Sequence, residues 1–461
     1  MLFSWLLMAM LAWGALSFGA VLPWAYWPLA IMAAALGVWG AVVSAAWTDP
    51  RTRRLSAALA LVAAAIVAQL LPLPHWLLRK LSPGVDRFFE MYRIGYVPDR
   101  YLATSVAPVY TVITIGLYCA FALLLVGLVR MLRRLPLEWI VTQLMGLGVG
   151  LALLGIVQRA FADPKGSNSI YGLTEHIPGA SPFGPFVNRN HFATWMIMAL
   201  PIVIGYSIGL VKRTWHPRRF TMSAWLAWLP TVDANRFVLV MTAAFTMLVA
   251  LVLTQSRSGL MAFMVAMIVL AVAFLRRHRT RAARIAAVAY FSLLLLGAIG
   301  WIGLDLSLSR FGSSQHDLGG RMTAWIDTVH IVRDFPLFGT GLGTYGEAML
   351  VYQTDRVEGM FVRAHNDYLQ LAAEGGLLVL VPVALLVVVL AQALRRRFEA
   401  GEDDELTYWI RVGAAAGLAG VAVQSSVEFG LQMPGNTALF VVVLALAIHR
   451  PSRRSVHAHR V

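Results

Sequence analysis

The feature of this chain that most limits its fold is a long series of apolar stretches. Hydrophobic residues make up 59% of its 461 residues and charged residues 13%, a composition outside the range of soluble globular domains. A stretch of roughly 17–25 apolar residues is long enough to cross the ~30 Å hydrocarbon core of a bilayer as a helix. We therefore predict an all-α integral membrane protein with about 12 transmembrane helices.

The predicted spans are separated by polar segments of very different lengths. They lie at about residues 2–20, 23–46, 55–72, 109–131, 137–160, 190–211, 237–254, 258–275, 284–303, 375–394, 406–425 and 434–449. Residues 1–20 carry no basic residue and are followed at once by another apolar stretch. We therefore interpret them as a retained first span and not as a secretory signal.

Basic residues indicate how these spans are oriented. The connecting segments near 51–54, 130–134, 212–219, 276–284 and 395–397 are rich in arginine, and all fall on one side of the predicted topology. Because basic loops stay in the cytoplasm, we expect a multi-pass protein with both termini cytoplasmic. The same rule accounts for the net charge of +15, so we expect no nucleic-acid partner.

The outer loops between the predicted spans are at about residues 73–108, 160–189, 304–374 and 426–433. The largest, 304–374, contains a predicted amphipathic helix at residues 321–334. Its apolar residues recur at helical spacing: Met322, Trp325, Ile326, Val329 and Val332. Such a helix either lies on the membrane surface or packs over the mouth of the bundle, and the sequence leaves both open.

A glycine motif in the same loop imitates a nucleotide-binding fingerprint. Gly341, Gly343 and Gly346 spell G-x-G-x-x-G. In a dinucleotide-binding protein this motif follows a buried strand and opens a helix on the cytoplasmic side. Here it follows Pro336 in an outer loop, so we predict a glycine-rich turn.

Four basic residues are predicted at the outer interface, where ionisable side chains are functional candidates by default. They are Arg189, Arg257, Arg321 and His365. We expect no carboxylate cluster on the outer face to match the arginines, and such a group suits a dianionic ligand, because guanidinium groups bind phosphate oxygens in bidentate fashion. A diphosphate on a long polyprenol would present its charge at this depth.

Each of these residues also has a structural interpretation. Arg189 could anchor a helix end at the lipid headgroups, and Arg257 could stabilise a tight turn. Arg321 could pair with Asp317 or lipid phosphates, and His365 could be a structural hydrogen-bonding residue.

His365 is the candidate for proton transfer, because the ordinary pKa of a histidine side chain lies near neutrality. The neighbouring Asn366 and Asp367 are predicted to cap the following helix. Asn188, Asn190 and His191, around Arg189, are predicted to support the site. The outer segments show no H-E-x-x-H, D-x-D or clustered His/Cys pattern, so we predict metal-independent chemistry and no cofactor.

The motifs around these residues resemble, as an ordered set, those of the O-antigen ligase superfamily. They are FVNRNHFA (186–193), LTQSRSGLMA (253–262), R-x-x-x-W (321–325) with FPLFGTGLGTY (335–345), and HNDYLQLAAEGG (365–376). The resemblance covers a predicted domain at 140–394, which includes the loop 304–374. The flanking regions 1–139, with transmembrane helices, and 395–461, with transmembrane helices and a cytoplasmic tail, agree only in hydropathy and number of spans.

The resemblance implies a metal-independent, inverting glycosyltransferase of the membrane-embedded class. It would take a glycan from undecaprenyl diphosphate at the periplasmic face of a Gram-negative inner membrane, with the large loop periplasmic. Arg189 and Arg257 would bind the diphosphate, Arg321 would belong to the same set although it matches less securely, and His365 would act on the acceptor hydroxyl.

The acceptor stays open at this point. An O-antigen ligase would use the lipid A–core, whereas a repeat-unit polymerase would use another lipid-linked glycan; PLPHWLLRKLSPGVD (72–86) and the HNDYLQ form are also typical of exopolysaccharide polymerases. A protein O-oligosaccharyltransferase is a third alternative. A transporter or flippase should show internal repeats and charges near the midplane, whereas no repeat relates the two halves of this chain and the candidate residues cluster at one face.

Overall fold

A computed structural model describes residues 1–44, 50–92, 94–97, 101–161, 169–171, 181–214, 222–277, 285, 314–354, 360–401 and 403–450 of the chain. These residues are mostly helical, in agreement with the predicted all-α class. The helices, numbered in chain order, are α1 (Leu2–Leu16), α2 (Pro23–Val43), α3 (Pro50–Ala68), α4 (His75–Leu81), α5 (Pro83–Tyr92), α6 (Pro108–Met131), α7 (Leu137–Ala160), α8 (Arg189–Thr214), α9 (Met222–Trp228), α10 (Val232–Leu253), α11 (Arg257–Arg277), α12 (Ser314–Asp334), α13 (Tyr345–Tyr352), α14 (Asp367–Ala400), α15 (Glu405–Gln424) and α16 (Pro434–Ile448). Two short strands, β1 (Leu73–Pro74) and β2 (Tyr101–Leu102), pair in antiparallel fashion.

Eight of the described helices are long and apolar enough to cross a membrane. They are α2, α6, α7, α8, α10, α11, α14 and α15. The predicted first and last spans correspond to the shorter apolar helices α1 and α16, and the predicted span at 55–72 corresponds to α3, whose first turns carry arginines. The predicted span 284–303 lies almost entirely outside the described residues, so the total of about 12 spans stays a prediction.

Two helices form the centre of the bundle. In α8, 83% of the most apolar window is buried inside the protein, and in α15 67% is, against 11% in α14. Small residues allow α8 and α15 to approach closely, with Gly205 and Gly209 on one helix and Gly413 and Gly417 on the other. Glycines four residues apart present one smooth face, which is how helices pack tightly in lipid.

A second, smaller core lies at one end of the bundle, which we call the outer end. It joins α4 and α5 to α12 and α13, with Leu78, Val85, Ile331, Phe335 and Met349 among its buried residues. The opposite end of the bundle, where α14 and α16 finish, is called the inner end.

Helix α12 begins earlier than predicted, at Ser314 instead of residue 321. Its packed face consists of small and polar residues such as Ala324 and Thr328, which are fully buried. Three residues of the predicted apolar stripe point away from the bundle, with Met322 61% and Ile326 58% exposed and Val329 37%. The helix therefore packs over the outer end, as one of the two alternatives predicted, while Met322, Ile326 and Val329 stay exposed on another face.

Helix α14 is interrupted at Gly376, whose φ is +55°. The segment after α12 occupies the break. Thr340 and Gly341 donate their backbone N–H groups to the carbonyl oxygens of Ala373 and Glu374, at 3.0 and 2.9 Å. A Cβ on Gly376 would lie 2.6 Å from the carbonyl oxygen of Leu337, so only glycine fits this contact and this backbone conformation.

Candidate active site

Glu428 is the residue on which the outer polar side chains converge. It lies in the connector between α15 and α16 (residues 425–433), and its side chain is 1% exposed. Its Oε1 accepts hydrogen bonds from Nη2 of Arg321 at 2.8 Å and from Nδ2 of Asn190 at 2.6 Å. The carboxylate therefore joins α12, the start of α8 and the connector, which are far apart in the sequence.

His365 lies beside the other oxygen of this carboxylate. Its Nδ1 is 3.6 Å from Oε2 of Glu428, too long for a normal hydrogen bond but close enough for the two groups to interact electrostatically. The backbone φ of His365 is +51°, a conformation that costs a residue with a side chain ~1–3 kcal/mol. Ala364 is held on both sides, since Trp325 Nε1 donates to its carbonyl and its N–H donates to Gln370.

The environment of Glu428 decides its charge. Burial favours the neutral acid, but the adjacent His365 and the Arg321 guanidinium favour the carboxylate more strongly, and they hold the pKa of Glu428 below its ordinary value. Glu428 is therefore ionised near neutrality and supplies a fixed negative charge beside His365.

Phe429 separates the two histidines of the predicted site. Its ring centroid is 4.8 Å from that of His191 and 4.7 Å from that of His365, and both contacts are edge-to-face. His191 is 5% exposed, and its carbonyl accepts a hydrogen bond from Asn436. The structure thus places His191 against Phe429, whose ring also contacts His365, and its supporting role stays a prediction.

Of the two residues predicted to cap α14, Asn366 does so, and the prediction for Asp367 is wrong. Asn366 caps the helix in the usual way, because its Oδ1 accepts the N–H of Leu369 at 3.0 Å. Asp367 instead accepts hydrogen bonds from Ser425 at 2.9 Å and from Gln432 at 2.8 Å. These bonds fix the start of α14, and with it His365, to the same connector that carries Glu428.

Arg189 and Arg257 are each the first residue of a helix, α8 and α11 respectively. Asn188 precedes α8, and its Oδ1 accepts the N–H of Asn190 at 2.8 Å. The two helices touch near these ends, since a Cβ on Gly259 would lie 2.6 Å from the Cβ of Ala193. At a rise of 1.5 Å per residue, Arg189 is about 6 Å and Arg257 about 3 Å along its helix from this contact. Both arginines are half-buried.

The G-x-G-x-x-G motif is a turn, as predicted from its place in the loop. Gly341 and Gly343 have φ values of +102° and +86°, and the motif follows α12 and not a strand. Glu374, buried under the turn, accepts the N–H groups of Gly343 at 3.0 Å and Tyr345 at 2.9 Å. The glycines allow the turn to donate its N–H groups to Glu374 and to the break in α14. These contacts explain the motif without a nucleotide.

One of the predicted outer arginines, Arg321, has a carboxylate partner that the sequence analysis did not identify. Arg321 binds Glu428 and the carbonyl of Val427, so part of its charge is already compensated. Sequence reasoning missed Glu428 because the segment SSVEFGLQ contains no other ionisable residue. A signal was available: an acidic residue between two apolar spans is itself a functional candidate.

Among the residues that the structure describes, no three His, Cys, Asp or Glu side chains are grouped so that they could hold a metal ion. Whether the chemistry is independent of metals stays a prediction.

Comparison with known proteins gives one finding. Residues 242–384 match a family model described as O-antigen ligase. The matched range contains Arg257, Arg321 and His365, whereas Arg189 and Glu428 lie on either side of it. No curated protein matches the chain.

Proposed function

The chain belongs to the O-antigen ligase superfamily, whose members are glycosyltransferase-like membrane enzymes, and on this premise we propose that it is an O-antigen ligase. It transfers a glycan from undecaprenyl diphosphate to a sugar hydroxyl of the lipid A–core, at the periplasmic face of a Gram-negative inner membrane. The transfer is a metal-independent displacement with inversion, and both chain termini are cytoplasmic.

The observation that carries the proposal is the position of His365 beside the buried, ionised Glu428. A carboxylate next to Nδ1 favours the tautomer with its proton on that nitrogen, so the lone pair of Nε2 is available to a hydroxyl. It also stabilises the imidazolium that forms when the proton is taken. The Nδ1–Oε2 distance of 3.6 Å would shorten when substrate fills the site, as catalytic hydrogen bonds often do.

The leaving group is bound where α8 and α11 begin. Arg189 and Arg257 supply bidentate donors for phosphate oxygens. The first turns of two adjacent helices add the positive end of the helix dipole, which also favours an anion. Arg321 shares its charge with Glu428 and extends the same positive surface towards His365.

The reaction is then a single displacement. The acceptor hydroxyl attacks the anomeric carbon from the face opposite the diphosphate, and His365 accepts its proton at Nε2. The bond from the anomeric carbon to the diphosphate oxygen breaks at the same time, and undecaprenyl diphosphate leaves with its added negative charge stabilised by the arginines.

The test is glycan analysis of a deletion strain complemented with the wild type, with His365→Ala, or with Arg189→Ala or Arg257→Ala. We expect each variant to reach the membrane and to leave the lipid A–core bare while polymerised lipid-linked chains accumulate. His330→Ala is the matched control, because His330 is exposed on α12 and should support wild-type glycan. Wild-type glycan in the arginine variants would contradict the diphosphate assignment.

The same strains distinguish the alternatives. If only single repeat units remain, or a secreted polysaccharide disappears while the core stays decorated, the protein is a polymerase. If glycan is lost from proteins instead, it is a protein O-oligosaccharyltransferase. Full inhibition by EDTA would overturn the metal-independent mechanism under each of them.

A further inference from the structure

An open pocket lies at the inner end of the bundle. Its empty volume is about 770 Å³, including the solvent at its mouth. It is bounded by the start of α3, the end of α6, the last turns of α14 and the residues that follow α16. Since His365 precedes the first turn of α14 and this pocket surrounds the last turns, the two are at opposite ends of that helix.

The polar side chains of the pocket are dominated by arginine. They include Arg54, Arg130, Arg133, Arg396, Arg397 and Arg450. None of the lining residues that the structure describes is an aspartate or a glutamate. Six like charges around one cavity repel each other and focus a positive potential into it, so the pocket is suited to an anion.

One arginine of the pocket has a buried donor that a ligand could use. The Nε atom of Arg450 is buried and has no hydrogen-bond partner in the described part of the chain. Asp403, a buried carboxylate at the same end of the bundle, is already used by Arg411, with Nε–Oδ2 2.6 Å and Nη2–Oδ1 2.9 Å. It is therefore not available to neutralise the pocket.

The remaining wall is apolar. Leu55, Val129, Val389 and Leu390 line the pocket next to the arginines, so a ligand there meets charged groups and hydrocarbon together. An amphipathic anion fits this combination better than a fully soluble one.

We propose that this pocket binds the headgroup of an anionic phospholipid. The phosphate lies among the arginines, and the upper part of an acyl chain lies against the wall of Leu55, Val129 and Leu390. The proposal is independent of the glycosyl-transfer site, because it uses other residues at the other end of the bundle. The predicted topology places the pocket in the cytoplasmic leaflet, whose lipids include anionic ones.

The experiment is a lipid titration of the full-length protein in detergent, followed by native mass spectrometry. The probes are phosphatidylglycerol, phosphatidylcholine and inorganic pyrophosphate. We expect phosphatidylglycerol to bind in preference to phosphatidylcholine. The double variant Arg133→Gln/Arg396→Gln should bind phosphatidylglycerol about 30-fold more weakly, given the usual contribution of a basic residue at an anionic membrane surface.

A matched control removes the neighbouring charges. Arg134→Gln/Arg395→Gln changes the net charge equally, but neither residue lines the pocket, and Arg395 is 80% exposed and paired with Glu399. The control should bind phosphatidylglycerol as the wild type does. An equal loss in the control would overturn the proposal in favour of diffuse surface charge.

Two other results would also overturn it. One is binding of pyrophosphate, sensitive to the pocket variant, without binding of phosphatidylglycerol, which would make the pocket a site for a soluble phosphate. The other is equal affinity for both lipids. If the double variant does not fold, Arg54→Gln at the exposed rim gives the same comparison with a smaller expected loss, about fivefold.

Discussion

Two arginine–carboxylate pairs, each with a buried carboxylate, lie at opposite ends of the bundle, and they differ in how fully their polar atoms are used. At the inner end, Arg411 is 0% exposed and binds both oxygens of Asp403. Its remaining Nη1 donates to the carbonyls of Ala447 and His449. At the outer end, Arg321 binds only Oε1 of Glu428, and Oε2 has no hydrogen bond within the described residues.

The inner pair is fully hydrogen-bonded, whereas the outer pair leaves a carboxylate oxygen open for the proposed reaction. Asp403 and Arg411 satisfy each other and fix the ends of α15 and α16, so neither has capacity for a ligand. Glu428 keeps one oxygen directed at His365, and Arg321 is 25% exposed. A buried charge without its full set of hydrogen bonds lowers the stability of the fold. The proposed transfer reaction would use the open oxygen of Glu428.

The largest expected effect comes from Glu428→Gln. The amide keeps the shape of the carboxylate but not its charge, so it cannot fix the His365 tautomer or stabilise its protonated form. We expect the rate of glycan transfer to fall by roughly 10²–10⁴, the usual contribution of positioned acid–base catalysis. Transfer assays with purified protein and lipid-linked donor measure this.

Two controls accompany this variant. Glu428→Asp keeps the charge and should recover part of the rate, and donor binding should persist in Glu428→Gln. A transfer rate within threefold of wild type would mean that the open oxygen of Glu428 has no catalytic part.

The second effect tests the saturated pair. Asp403→Asn leaves the Arg411 guanidinium buried without its counter-charge, and we expect a loss of about 3–5 kcal/mol in the free energy of unfolding. Glu399→Gln, which breaks the exposed Arg395 pair, should leave the free energy of unfolding nearly unchanged. Detergent-based unfolding titrations compare the two. A reduced transfer rate in the Asp403→Asn molecules that stay folded would show that this pair is more than structural.

A third variant leaves both ion pairs intact and shifts the arginine-bearing helices. Gly259→Ala places a Cβ 2.6 Å from that of Ala193, which forces α8 and α11 apart where Arg189 and Arg257 begin them. Overpacking of this kind costs ~1–3 kcal/mol. We expect weaker donor binding, seen as a higher KM. Gly146→Ala in α7 is the control, because a Cβ there meets nothing within 4 Å; an equal rise in its KM would rule out the helix-end explanation.

The smallest expected effect is on the pH dependence of stability. The pKa of Glu428 is lowered in the folded protein: burial opposes its charge, but His365 and Arg321 outweigh that effect. The stabilisation is complete above the pKa of an unfolded glutamate, about 4.3, and is lost as pH falls through the lower folded value. Below pH ~4, the free energy of unfolding should therefore fall less steeply with pH in Glu428→Gln than in the wild type. Identical curves would mean that the pair contributes no pH-dependent stability.

The parts of the fold that follow from local sequence were predictable. The lengths of the apolar segments predicted the bounds of α7 and, within a few residues, those of α6, α10 and α15. Burial in lipid depends only on the composition of each segment. Asn366 was predicted as a cap for the same reason, since a cap needs only its own helix.

The arrangement of the site was not predictable, because it depends on tertiary contacts. Glu428 acquires its position only when the α15–α16 connector packs between α8 and α14, and nothing in its neighbouring residues encodes that. The face of α12 that packs was also hidden: the pattern of Met322 and Ile326 indicates amphipathicity, but not that Ala324 and Thr328 would be the buried side.

The break at Gly376 has a consequence for how the protein responds to its lipid environment. The first nine residues of α14 form a short outer piece, fixed to the outer end by Thr340, Gly341 and the connector, while the remainder meets the bilayer. A spanning helix tilts when the hydrocarbon thickness changes, but a tilt below the break need not reach His365. We expect transfer rates in vesicles of short- and long-chain lipids to differ little. A steep dependence on chain length would show that the two parts of α14 move as one.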